Sequence, residues 1–373
     1  MHTLVDLRLL GRGGTSGIEE YSRNLIENLM AADPAGDYSF FYNGFRKQPL
    51  AGQLSEGAMK RARLIDWNIP NKLLDLSGRF FNFPEIGRLL KADLIFSPHF
   101  NLLSAGKTPR VITFHDLSFL HHPYFFSRRQ RFWHWLQNIR GQAEAASHLI
   151  AVSEFTKSDL MEFLGIPSEK ISVIYPGISD IFQNSLTHQS INSSTRPYIL
   201  YLGTVEPRKN VQLIIRAFNL LKEKSAFRDW QLVIAGRLGW LYQEVLREAR
   251  RSLFSSDIIF RGAVGSEERV SLYNLAEVFI YPSFFEGFGF PPLEAQASGC
   301  PAIVSDRTSL PEVLGASALY VNPWKAGELA ESVENLVMNT ALKNRLVADG
   351  LINAARFRWE DSATQTLQVF NQQ

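Results

Sequence analysis

The stretch FFEGFGFPPLEAQASGCPAIVSD, residues 284–306, holds two glutamates eight positions apart, Glu286 and Glu294, with Gly287, Gly289, Pro291 and Pro292 between them. On one helix, at about 100° per residue, the two carboxylates would stand well apart around the axis. Each proline also disfavours helix at the residue before it, so Pro292 argues against Pro291 and Pro291 against Phe290. The pattern therefore predicts a helix that starts near Pro292, a favoured first position, and stops at Gly299. Glu294 then falls in the first turn, and Glu286 on the loop after the apolar run VFIYPS. Gly287 and Gly289 let a ligand approach the backbone closely. The free N–H groups at the helix start favour an anion. Strand, glycine loop, helix and the next apolar run, PAIVSD, make one α/β unit.

That unit repeats along the chain. Apolar runs such as TLVDLRLL, ADLIFSP, RVITFHD, HLIAVS, YILYLG, WQLVIAG and DIIFRG alternate with helix-like patterns. They read as buried parallel strands in a doubly wound α/β fold. The segment QNSLTHQSINSSTRP, residues 183–197, is polar and lacks an apolar period, so it is the expected linker. The expected organisation is a first Rossmann-like domain over 1–182, a linker over 183–197, a second such domain over 198–355 and a closing helical segment over 356–373. Two such halves imply a cleft, with ligands outside the carboxyl ends of the strands.

Bulk properties narrow the function. With 373 residues the chain suits two domains. Thirty-nine Lys and Arg against 37 Asp and Glu leave no basic excess of the kind that drives nucleic-acid binding, so no nucleic-acid partner is expected. Cys300 is the single cysteine, which excludes an intrachain disulfide and fits a reducing compartment. The beginning, MHTLVDLRLLGRGG, lacks the marks of a signal peptide. No apolar run reaches the ~20 residues of a membrane span. A soluble cytoplasmic protein is expected, with peripheral contact on the inner membrane face left open.

Several constellations bear chemistry, and each has a plainer alternative. Arg208 and Lys209 follow the run YILYLG, with Asn210 as a candidate N-cap for VQLIIRAFNLL; the plain alternative is a solvated basic turn. His115 and Asp116 follow the run RVITF, where a lone histidine is more often structural. Ser16 and Glu19 form a capping box after the Gly-rich loop of Gly13, Gly14 and Gly17, and Ile18, Tyr21, Leu25, Ile26 and Leu29 form the buried stripe of that helix. A dinucleotide fingerprint fails there, because Ser16 stands where the third glycine belongs, so an NAD enzyme is disfavoured. In 127–148, Phe132, Leu136, Ile139 and Ala143 share one face of a predicted helix flanked by Arg128, Arg129, Arg131 and Arg140. That face is either a core helix with a solvated basic side or, over 127–140, a surface for anionic membrane.

Together these segments resemble the retaining, nucleotide-sugar-dependent GT-B glycosyltransferases of glycosyltransferase family four, group 1. EGFGFPPLEAQASGCPAIVSD resembles their E-x7-E signature. GTSGIEEYSRNL, TFHDLSF, AVSEFTKSDL, YLGTVEPRKNVQLIIRAF, LVIAGRLGW, RGAVGSEERVSLYNLAEVFIYPS and SLPEVLGASALYVNP are similar in order to other segments of the family. The resemblance covers nearly the whole chain and is weakest over 40–95, where acceptor-specific loops are expected. It implies two Rossmann-like domains facing each other across a cleft, acceptor side first and nucleotide-sugar side second, with the terminal helix crossing back to the first. It implies a donor-binding set of Gly14, Gly203, Arg208, Lys209, Val264, Glu286, Gly287, Phe288, Gly289, Phe290 and Glu294. Glu294 would take the ribose hydroxyls, Arg208 and Lys209 the diphosphate, Glu286 the transferred sugar, and the loop of Ala263 and Val264 the base. The catalytic set is His115, Glu286, Arg208 and Lys209, with His115 near the sugar. No Asp-x-Asp pair occurs, and the two cations can neutralise the diphosphate, so neither metal nor cofactor is expected. The wording is nearest to mannosyltransferases using GDP-mannose and a saccharide or lipid-linked acceptor. UDP-glucose or another UDP-sugar is the second choice, and a sugar phosphorylase or a non-catalytic sugar-nucleotide binder the rival class.

Overall fold

A computed structural model describes residues 1–13, 16–45, 47–50, 52–183 and 196–373. The apolar runs form two all-parallel sheets. By contacts the chain divides into Met1–Gly177 with Arg358–Gln373, and Ile178–Phe357. The division thus falls at Gly177, before the polar stretch 183–197, of which 184–195 lie outside the described residues.

The first unit contains β1 (His2–Asp6), β2 (Asp37–Asn43), β3 (Ala62–Trp67), β4 (Leu94–Ser97), β5 (Arg110–Phe114), β6 (His148–Ala151) and β7 (Ile171–Val173), in the order β3-β2-β1-β4-β5-β6-β7. Every residue of β4, β5 and β6 is buried, as expected where helices cover both faces. Edge strand β3 instead exposes Arg63, Leu64 and Asp66. Leu4, Phe41 and Ile95 pack with Ile86 and Leu103 in one core cluster, and Ile112, Phe114, Leu149 and Leu160 lie in another. Each such side chain contributes roughly 1.5–3 kcal/mol on burial.

The helix Gly17–Ala32 begins with both hydrogen bonds of the Ser16–Glu19 capping box and buries Tyr21, Leu25, Ile26 and Leu29. The terminal helix Trp359–Phe370 belongs to this same unit. Trp359 meets Tyr21 edge-on at 5.7 Å, Phe370 lies 5.1 Å from Phe96, and Ser362 Oγ donates to the Tyr175 carbonyl at 2.6 Å.

The single helix expected within 127–148 is two, Arg128–Leu136 and Ile139–Ala145. Asn138 breaks it in the left-handed region at φ 49°, which Asn tolerates better than most residues. Gln137 anchors the break, accepting from Leu102 N at 2.6 Å and donating to Asp75 at 3.2 Å. Leu136, Ile139 and Ala143 are buried, but Phe132 does not share their face and is exposed.

The second unit contains β8 (Tyr198–Leu202), β9 (Gln231–Ala235), β10 (Ile258–Gly262), β11 (Val278–Tyr281), β12 (Ala302–Ser305) and β13 (Leu319–Val321), in the order β10-β9-β8-β11-β12-β13. In each sheet the direction of travel reverses once, between β1 and β4 and between β8 and β11. Loops leaving neighbouring strands at such a reversal diverge and open a crevice at the carboxyl edge. In the second unit those loops carry Arg208 and Lys209 on one side and Glu286 on the other.

Candidate active site

The turn after β8 is a short 3-10 helix, Pro207–Lys209, with proline in its first position. Asn210 follows at φ 57° and makes no side-chain cap for the helix Val211–Lys222, contrary to expectation. In the left-handed conformation its amide turns away from the helix start. It donates instead to the carbonyls of Pro282 at 3.1 Å and Pro323 at 2.6 Å. The basic turn is thereby tied to the ends of β11 and β13. Behind it, Gly236 at φ 130° lets β8 and β9 close up, since a Cβ there would come within 2.0 Å of the Gly203 carbonyl oxygen.

The loop after β11 is fixed from the segment beyond β12. Glu286 N donates to Thr308 Oγ1 at 3.0 Å, and Ser309 Oγ donates to the carbonyls of Glu286 and Phe288 at 3.0 and 3.2 Å. The following helix runs Phe290–Ala297, so it starts two residues earlier than the prolines predict. First-turn N–H groups have no intrahelical acceptor, so Pro291 and Pro292 cost the helix no hydrogen bond there. Gly289 enters that helix at φ 102°, and a Cβ on it would lie 2.7 Å from Leu310 Cδ2. The helix ends in Ser298 and a left-handed Gly299.

These two loops assemble a buried charge cluster. Lys209 Nζ lies 2.6 Å from Glu286 Oε1 and also donates to the Tyr281 hydroxyl. Arg208 Nη1 lies 3.4 Å from Glu286 Oε2 and donates to the Phe285 carbonyl at 3.0 Å. Its other edge meets Glu206 Oε1, at 3.0 Å from Nη2 and 3.1 Å from Nε. Burial works to raise the Glu286 carboxyl, but Lys209 and Arg208 outweigh it and hold it below the usual range. Burial pulls the Lys209 ammonium down, helped by Arg208 and opposed by both carboxylates. Burial lifts Glu206 despite Arg208 and Lys209.

Glu294 is held elsewhere. Its Oε1 accepts from Arg269 Nη1 at 3.0 Å and its Oε2 from the Tyr273 hydroxyl at 2.9 Å. Arg269 and Tyr273 stand one turn apart on the helix Ser266–Leu275, and the Arg269 guanidinium lies 5.1 Å over the Phe182 ring. Val264, on the loop between β10 and that helix, is half-buried. Phe288 is buried against Phe290 and Phe357, at 5.2 and 5.5 Å. Gly287 is buried in the same loop.

In the first unit, His115 leaves β5 and is buried. Its Nε2 is 2.8 Å from the Pro98 carbonyl, which can only accept, so Nε2 carries the proton and Nδ1 the lone pair. The ring meets Tyr21 edge-on at 4.6 Å. Burial depresses its pKa to about 4, against the Pro98 carbonyl and Asp116, so the ring is neutral at pH 7. Asp116 shapes the next turn by accepting from Ser118 N at 2.9 Å. Gly14 lies outside the described residues.

Sequence reasoning missed Glu206, Tyr281, Arg269, Tyr273, Thr308 and Ser309. Glu206 stands two residues before Arg208, with Pro207 between them, and Arg269 and Tyr273 have helical i, i+4 spacing, so both signals were present. It also missed the buried group at the reversal of the first sheet, where Arg8 grips Asp6 at 2.8 and 2.7 Å and lies 3.6 Å from Asp75.

Residues 15–180 match the family described as Glycosyltransferase Family 4, and residues 183–351 the one described as Glycosyl transferases group 1. The chain is 30% identical over 367 residues to O-antigen chain mannosyltransferase B of Escherichia coli, covering 95% of this chain and 96% of that one. It belongs to this glycosyltransferase family. Serotype-specific mannosyltransferase WbdA of Escherichia coli is 30% identical over 271 residues, 70% of this chain and 33% of its own length. Among solved structures, sucrose-phosphate synthase of Thermosynechococcus elongatus superposes with a TM-score of 0.78 at 18% identity, covering 100% of this glycosyltransferase and 98% of that chain. The fold class is therefore α/β of the GT-B type, with two Rossmann-like units.

Proposed function

We propose that this glycosyltransferase transfers mannose from GDP-mannose, with retention of configuration, to a hydroxyl of a saccharide or lipid-linked acceptor. The observation that carries the proposal is the Arg208–Lys209–Glu286 cluster at the reversal of the second sheet. Similarity to the O-antigen mannosyltransferase over nearly its whole length supports mannose as the sugar. The second unit takes the nucleotide sugar and the first the acceptor. Arg208 and Lys209 take the diphosphate, on which negative charge grows as the sugar departs; fixed cations stabilise that change without reorganising. They supply the charge a divalent ion would otherwise bring, so transfer needs no metal. Glu286 hydrogen-bonds the hexose, and the glycine loop Gly287–Gly289 lets the donor reach the backbone beside Phe288 and Phe290. Gly203 lies under the diphosphate. Glu294, oriented by Arg269 and Tyr273, offers its remaining lone pairs to the ribose diol. Val264 borders the base. His115, neutral with Nδ1 accepting, orients a sugar hydroxyl; a pKa of about 4 makes it a weak base. Among the described residues no helix is long and apolar enough to cross a membrane. We place the enzyme peripherally on the cytoplasmic face of the inner membrane, in contact through residues 127–140.

Nucleotide release, measured with a panel of nucleotide sugars and a mannose-terminated acceptor, tests the donor. GDP release from GDP-mannose is expected. Turnover of UDP-glucose alone would refute the donor, and stabilisation by inorganic phosphate but by no nucleotide would refute the class. The anomeric configuration of the product, read by NMR, tests retention.

A further inference from the structure

The helix Asn71–Phe81 packs only Leu74, partly buried, against the apolar core and leaves most of its apolar residues outside. Its buried residue is an acid, Asp75, which lies 3.6 Å from Arg8 and accepts from Gln137. Leu73, Leu76 and Phe80, spaced for one helical stripe, project on the other side and are 57%, 46% and 59% exposed. Phe81 extends the stripe at 78% exposure. The helix Arg128–Leu136 packs beside it. The Arg79 guanidinium lies 5.6 Å over the Trp135 ring, and Trp135 stacks on Phe132 at 5.6 Å, both rings being exposed. The two helices thus form one apolar face in the first unit.

Its charge has one sign. Lys72, Arg128, Arg129 and Arg131 are exposed around it, and across 69–84 and 127–143 the sole acid is the inward-turned Asp75. A second copy presenting the same face would set cation against cation, which disfavours a symmetric dimer. Apolar side chains ringed by lysine and arginine suit the headgroup boundary of an anionic bilayer, where rings and leucines enter the acyl region and the cations meet phosphates.

We propose that the stripe Leu73–Leu76–Phe80, joined by Phe132 and Trp135, is a docking surface for an anionic lipid bilayer. It rests on the peripheral contact proposed above and extends its apolar anchor from 127–140 onto the neighbouring helix Asn71–Phe81. The full chain is sedimented with phosphatidylcholine vesicles with and without phosphatidylglycerol, and Trp fluorescence is recorded. Binding only to the anionic vesicles, with a blue shift, is expected. Leu76→Ser with Phe80→Ser should weaken binding about tenfold per anchor removed, with nucleotide binding and melting unchanged. Arg128→Gln with Arg131→Gln should weaken it in a salt-dependent way. If the arginine variant loses binding and the Leu76/Phe80 variant keeps it, the inference falls and the contact through 127–140 stands. If neither variant binds less, both fall. A dimer in light scattering that the Leu76/Phe80 variant dissolves would assign the face to a second copy and overturn the proposal.

Discussion

Replacing Glu286 by Gln should tighten nucleotide binding while it slows transfer. Arg208, Lys209, Glu206 and Glu286 carry two positive and two negative charges, so the unliganded cluster is neutral. A diphosphate that takes Lys209 must do so beside a carboxylate already 2.6 Å from the same ammonium. A phosphate oxygen drawn in there would stand on the order of 5 Å from the carboxylate, where like charges repel by about 3 kcal/mol at an effective dielectric near 20. Relaxation and lost preorganisation return part of this, leaving about 1–2 kcal/mol, a five- to thirtyfold gain in affinity. Gln keeps an oxygen for Lys209 and removes the charge. Titration calorimetry with GDP at pH 7 measures the gain, and initial rates with GDP-mannose should show turnover falling at least tenfold. Removing one partner of a buried pair also costs stability, so the variant should melt lower, and GDP should raise its Tm more than that of the parent. Unchanged or weaker GDP binding by a variant that still melts cooperatively would refute the counter-ion role.

Three further outcomes are expected. Arg208→Ala should lower kcat by on the order of 10²–10³ with little change in acceptor KM, because the charge it meets grows in the transition state; parental turnover would remove the diphosphate role. EDTA should leave activity intact in steady-state assays, and a loss restored by Mg²⁺ would defeat the metal-free proposal. Stability should fall as pH drops from about 6.5 to about 4. The unfolded chain binds a proton at His115 through that window while the folded chain resists, so the stabilisation is complete above 6.5 and lost by 4, at a cost of up to about 3 kcal/mol. His134, also depressed to about 4 by burial, acts in the same sense. Urea midpoints against pH should therefore flatten in part for His115→Gln.

The strands, the parallel fold and the two loops carrying Arg208, Lys209 and Glu286 were legible because they follow from apolar runs, glycine and proline. What stayed hidden depended on distance along the chain. Glu286 meets Lys209 across 77 positions, and no local pattern encodes the sheet order that joins them. Asn210 has the chemistry of an N-cap, but the carbonyls of Pro282 and Pro323, just beyond β11 and β13, take its amide instead. The pre-proline rule misjudged the helix start because a first turn forgives what an interior would not. The helix Asn71–Phe81 is the sharpest case. No motif draws attention to it in the sequence, and only the burial of Asp75 against Arg8 shows that Leu73, Leu76 and Phe80 face outward.

The pairing of Glu286 with both cations also bears on how a donor arrives. A buried Lys209 beside the half-buried Arg208, without a counter-charge, would be driven toward its neutral form, since burial and Arg208 already pull it that way. A carboxylate kept within reach holds the ammonium charged before any nucleotide is present; in the Gln variant Glu206 and the arriving diphosphate supply that counter-charge instead. Donor binding then becomes an exchange of counter-ions, in which Glu286 yields Lys209 to the diphosphate and turns to the sugar that the same diphosphate carries. One acid can serve both states because Thr308 and Ser309 fix its backbone and leave only the side chain to move. On that account Thr308→Val, which deletes the hydroxyl that accepts from Glu286 N, should loosen the loop and raise the KM for the nucleotide sugar while GDP affinity changes little. A variant with parental KM would show that the loop holds its shape without that bond.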